Sequence, residues 1–95
     1  MSRSSLSSRT IENIIRKQVN KVLHDAGMNP STRRGNKELK HLIGNLAQTP
    51  IADEVAATEL GITVGQQILE VSKQKGKKNL DQGVVIQVIA CGNHL

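Results

Sequence analysis

"PIADEVAATELGITVGQQILEVSKQK", Pro50 to Lys75, is the stretch on which the fold turns. Thr49 as N-cap with Pro50 at the first helical position is a restart signal. Asp53 and Glu54 then sit near the positive end of the helix dipole. Gly76 supplies a stop. The spacing predicts one helix of 26 residues, about 40 Å at 1.5 Å per residue. Its apolar residues form two stripes, Ile51, Val55, Ile62 and Leu69 on one side and Leu60, Val64, Ile68 and Val71 on the other. A helix apolar on two sides is packed by more than one neighbour. Gly61 and Gly65 lie inside it, at about 1 kcal/mol each relative to alanine. Two readings follow. Either the glycines admit the backbone of a second copy crossing there, or they break the segment into two shorter helices.

Upstream, Ile11, Ile14, Ile15, Val19, Val22, Leu23 and Ala26 recur at the helical period. Thr10 is the expected N-cap, Gly27 the C-terminal stop, and Pro30 blocks continuation. Residues 28–36, "MNPSTRRGN", have no periodicity and read as a loop. A short helix is expected over about 37–46, capped by Asn36, with Leu39, Leu42, Ile43 and Leu46 on one face. Past Gly76 comes "KKNL", then Asp81 as cap of a last segment with Val84, Val85, Val88 and Ile89 inward. Its β-branched content suits a strand as well. Its short length, its cap and Gly92 favour a helix. The expected class is all-α. The division is a flexible basic tail at 1–9, a helix at 10–27, a basic linker loop at 28–36, and a helical domain at 37–95.

Composition narrows function. Ninety-five residues make one domain at most. There is no Phe, Tyr or Trp, so the core is aliphatic and small, and oligomerisation is expected to add burial. Net charge is +5 and the pI about 9.8, which favours an anionic partner. The first fifty residues hold nine Lys/Arg against three Asp/Glu. Lys73, Lys75, Lys77 and Lys78 then cluster around Gly76. Lacking aromatics to stack on bases, the chain suits duplex phosphates better than single strands. Cys91 is the one cysteine, so no disulfide closes within the chain. No apolar run reaches membrane-span length. The cationic first helix could lie on a membrane surface, although packing on the fold is favoured. His24 and His41 fall on polar helix faces. The "CGNH" at 91–94 cannot complete a four-ligand zinc site within one chain. No triad, paired carboxylate or phosphate-binding glycine loop stands out. The expectation is a non-enzyme without cofactor or metal.

The order short helix, turn, long helix, basic loop, short helix in residues 37–91 resembles the histone fold of archaeal and core histones. "SKQKGKKNLDQGVVIQVIA" (72–90) is similar to the family's second loop and last helix. "LKHLIGNLAQTPIADEVA" (39–56) is similar to its first helix, first loop and central-helix start. On that resemblance Lys77 and Lys78 hold basic loop positions, Asn79 stands where threonine is usual, Leu80 lies in a short bridge and Asp81 caps. The resemblance implies a histone fold with an extra N-terminal helix. Two chains would clasp antiparallel in a handshake through Leu60, Gly61, Val64, Gly65, Ile68, Val85 and Ile89. The second loop of one chain would lie beside the first loop of the other. It further implies largely sequence-independent binding and compaction of double-stranded DNA by a dimer or higher oligomer, inside the cell. The contacts would come from Arg33, Arg34, Lys37, Thr49, Lys73, Lys75, Lys77 and Lys78. Two departures stand. The first loop has no arginine, and Val84 replaces an acidic partner. The other functional classes are a histone-fold or helical interaction subunit of a larger complex, and an RNA-associated basic protein.

Overall fold

The computed structural model describes residues 7–28, 32–49, 51 and 53–91. Pro30, Pro50, Gly92, His94 and most of the basic tail lie outside them. The described residues form four helices: α1 (Ser8–Asp25), α2 (Arg33–Leu46), α3 (Glu54–Lys75) and α4 (Gln82–Cys91). The all-α expectation holds, and α4 is a helix where a strand was the alternative.

Three helix starts differ from expectation. Helix α1 is capped by Ser7, whose hydroxyl accepts from the Thr10 N–H at 3.2 Å, so Thr10 sits in the first turn. Helix α2 opens at Arg33, capped by Thr32 through the Gly35 N–H at 3.0 Å; the linker loop is shorter than 28–36, and Asn36 is helical. Helix α3 is capped by Asp53 through the Ala56 N–H at 2.9 Å. Thr49 instead closes α2, donating its hydroxyl to the Leu46 carbonyl at 2.6 Å. So α3 has 22 residues, about 33 Å, and runs unbroken through both glycines.

The stops are as expected. Gly27 and Gly76 have φ of 77° and 66°, the left-handed region that glycine enters without a Cβ penalty. At each, crossed bonds close the helix. Met28 and Gly27 donate to Leu23 and His24; Lys77 and Gly76 donate to Ser72 and Lys73. Met28 also packs on the core beside this cap.

Helix α1 lies along α3, pointing the same way. Ile15 and Gln18 meet α3 at Gly61, and Val22 meets it at Gly65. A Cβ on Gly61 would stand 2.9 Å from the Ile15 carbonyl oxygen, and one on Gly65 2.8 Å from the Val22 Cβ. The glycines therefore do admit a neighbouring helix, but it belongs to the same chain. Within the chain, α1 occupies the place at which a second copy was expected to cross. Ile11, Ile15, Val19 and Leu23 of α1 share a core with Leu39, Leu42 and Ile43 of α2, Ala57, Val64, Ile68 and Val71 of α3, and Val84, Val85 and Val88 of α4. Gly61, Val64, Gly65, Ile68 and Val85 are thus buried within one chain, and Leu60 and Ile89 are half-buried against its core. The two-sided burial of α3 is real, with α1 on one side and α4 on another. Of the two expected stripes, however, only that of Leu60, Val64, Ile68 and Val71 carries buried residues. Ile62 and Leu69 are half-buried, Ile51 precedes the helix and Val55 is 65% exposed, and it is Ala57, Gly61 and Gly65 that are buried instead.

Helix α2 packs on α4 and on α1. Its start is pinned to the segment before α4. Thr32 donates its N–H to the Leu80 carbonyl at 3.0 Å, and a Cβ on Gly35 would collide with that same carbonyl. Gln82 reaches back to Glu38 at 3.4 Å.

Candidate nucleic-acid interface

These anchors bring four helix ends together: the C-termini of α1 and α3 and the N-termini of α2 and α4. Two separate stretches of sequence, 33–34 and 73–78, thereby supply cations to one end of the molecule. Lys73 and Lys75 come from the last turn of α3, Lys77 and Lys78 from the following loop, and Arg33 and Arg34 from the first turn of α2. All six are exposed. A cleft of about 490 Å³ opens there, walled by Gly27, Met28, Leu69, Lys73, Lys77 and Lys78. Ser72 borders it, 2% exposed, with a buried hydroxyl that lacks a hydrogen-bond partner among the described residues.

The six cations do not have equal structural excuses. Lys73 and Lys75 complement the negative end of the α3 dipole, a local reason for them to be there. Lys77 reaches Asp81 at 3.4 Å. Arg33 and Arg34 have the opposite situation. They occupy the positive end of α2, whose first turn contains no acidic residue. Dipole and side chains repel there, and an external anion relieves both.

Two carboxylates lie at this end, Asp25 as the last residue of α1 and Asp81 before α4, and Asp81 is the one paired with a loop lysine. Its Oδ1 accepts the Val84 N–H at 2.9 Å and so caps α4. That hydrogen bond holds its pKa below the ordinary aspartate value against an opposing desolvation, and the hydrogen bond and charge of Lys77 and the charge of Lys75 add smaller contributions in the same direction. One carboxylate thus fixes both the last helix and the loop lysine. Lys78 stands outside that pair.

Not every expected contact residue is gathered. Thr49 lies past the far end of α2, roughly 20 Å along its axis from Arg33. Lys37 is one turn further along α2 than Arg33 and faces a separate groove shared with α1. His24 and His41 are exposed. Among the described residues, no three potential metal-ligating side chains converge, and no helix is long and apolar enough to cross a membrane. No family model, curated protein or solved structure matches this chain. The functional reading therefore rests on the residues themselves. The lysine loop was readable along the sequence. The joining of Arg33 and Arg34 to it depends on the bond from Thr32 to Leu80, for which no local signal exists.

Proposed function

We propose that this chain is a histone-like protein that binds and compacts duplex DNA through its phosphates, largely irrespective of sequence. The observation that carries the reading is the pair Arg33–Arg34, set against the positive end of α2 beside Lys77 and Lys78. Focused charge of one sign draws a polyanion by releasing its counterions. The absence of aromatic side chains removes base stacking as the binding mode. Nothing at this end is arranged as a base-reading helix, so the contacts fix position rather than sequence.

In this reading α2, α3 and α4 keep the short, long, short order of the histone fold, with the Gly76-Lys77-Lys78 loop and the Asp81 cap between the last two. Helix α1 takes the place on α3 that a handshake would give to a second central helix. The binding unit is then one four-helix chain, and further assembly uses the outer surface. With six phosphates neutralised, log affinity falls against log salt with a slope of about −5, roughly a thousandfold loss between about 50 and 200 mM. Fluorescence anisotropy with labelled random-sequence duplex measures this directly. An affinity unchanged across that range overturns the proposal.

A second reading, a helical interaction subunit, is favoured by Val55 and Ile86, which are 65% and 49% exposed. It predicts a chain whose affinity for duplex is no greater than that of its Lys77→Glu, Lys78→Glu variant.

A further inference from the structure

Helical glycines in this chain sort into two kinds. Gly35, Gly61 and Gly65 each press so closely on a neighbouring segment that no Cβ fits. Gly44 and Gly83 are the contrast: a Cβ on Gly83 would meet only the Asp81 Oδ1 at 3.6 Å, in the first turn of α4, while Gly44 borders a groove. Gly44 lies in the last turn of α2, and a Cβ built on it would meet nothing within 4 Å. Glycine weakens a helix relative to alanine, through backbone entropy and exposed peptide groups. Nothing inside the chain uses the missing side chain at this position.

Gly44 forms part of the floor of a groove of about 540 Å³ between α1 and α2. Lys37, Lys40, His41 and Gln48 stand around it, all exposed and all able to donate hydrogen bonds. The one carboxylate on the wall, Glu12, lies 3.7 Å from Arg16. Glu38, the acidic residue of α2, is engaged by Gln82. The groove therefore combines uncompensated positive charge, donors and a bare stretch of helix backbone.

Its position links it to the cationic end. Arg33, Lys37, Lys40 and Gly44 fall at i, i+4, i+7 and i+11, one face of α2. That stripe is about 16 Å long, with a cation at each turn until Gly44. We propose that the groove receives the sugar–phosphate backbone of a nucleic-acid duplex. Gly44 lets the strand come down to the helix surface, and Lys37 and Lys40 hold the flanking phosphates. The inference rests on the DNA-binding reading above and adds a second contact along α2, distant from the lysine loop.

The test uses the full chain and a random-sequence duplex. Gly44→Gln adds a good helix former to an open site. It should keep or raise Tm in far-UV circular dichroism while weakening DNA binding by roughly three- to tenfold at low salt, the loss of about one phosphate contact. Lys37→Gln with Lys40→Gln should reduce the salt slope by about 2. A folded Gly44→Gln protein with unchanged affinity, or a double lysine variant with unchanged slope, overturns the groove. Lys77→Gln with Lys78→Gln separates the two proposals. If the loop pair weakens binding and the groove variants do not, only the groove is wrong. If neither set changes binding, the DNA-binding reading falls with it.

Discussion

Gly61→Ala tests whether α1 truly owns the notch on α3. The new methyl would lie 2.7 Å from the Gln18 Cβ, 2.9 Å from the Ile15 carbonyl oxygen and 3.1 Å from the Ile15 Cα. Two of the three are backbone atoms, so no rotamer change clears them. Carbon contacts are optimal near 3.5–4.0 Å, so α1 must withdraw by roughly 0.5–1 Å. That loosens Ile11, Ile15, Val19 and Leu23 together. Overpacking of this kind costs about 1–3 kcal/mol, offset by about 1 kcal/mol of helix propensity. Gly44→Ala also gains helix propensity, less of it in the last turn of α2, and has no clash. The difference between the two variants therefore reports the contact with α1, at about 1–3 kcal/mol. For a chain of this size each kcal/mol moves Tm by about 4–8 °C. Far-UV circular dichroism is the assay, because the chain has no aromatic fluorophore. Melts at two protein concentrations complete it. An intrachain contact gives the same Tm at both, whereas a face buried by a second copy gives a Tm that rises with concentration. If Gly61→Ala is as stabilising as Gly44→Ala, or if its deficit depends on concentration, α1 does not fill the notch.

Three further outcomes are expected. Lys77→Glu with Lys78→Glu should weaken duplex binding in the anisotropy titration with little loss of Tm, because both residues are exposed loop positions. Asp81→Ala should lower stability by about 1 kcal/mol through loss of the α4 cap, read by chemical denaturation. The folded chain holds the Asp81 carboxyl more acidic than the unfolded chain does. Its charge therefore contributes fully above about pH 4, and that contribution disappears as pH falls further, so melts of wild type and Asp81→Asn should converge in acid. Thr32→Ala removes the hydroxyl that caps α2 and should also cost about 1 kcal/mol in the same denaturation assay.

Much of this architecture could be read from periodicity. The apolar spacing of α1, the leucine face of α2 and the valine face of α4 each gave the right element and, apart from Ala26, which is the exposed C-cap of α1, the right inward face. The caps were harder. Thr10 lies three residues from Ser7, Asn36 and Thr49 four from Thr32 and Asp53, and all are capping types. Which one caps is decided by where the first turn closes, a matter of angstroms. The two arginines looked like loop because residues 28–36 have no apolar periodicity, and so did Gly35. What requires glycine there is the Leu80 carbonyl pressed against it, a contact across 45 positions of sequence. The glycines of α3 announced that a helix comes close, but the spacing on one helix does not name the owner of the other. The lysine loop was likewise legible, while the groove at Gly44 became visible only once α1 and α2 were placed side by side.

The pairing of α1 with α3 also sets an order of events in synthesis. Residues 15–22 dock on residues 61–65, so the helix translated first finds its seat only after most of the chain exists. Until then only α2 can cover it, so the part of its isoleucine, valine and leucine row that faces α3 stays open, and a ribosome-bound fragment is sticky where the finished protein is not. Filling that seat closes a loop of some forty residues, a reach matched by the contact of Gly35 with Leu80, so both sides of the bundle wait on late, long-range closure.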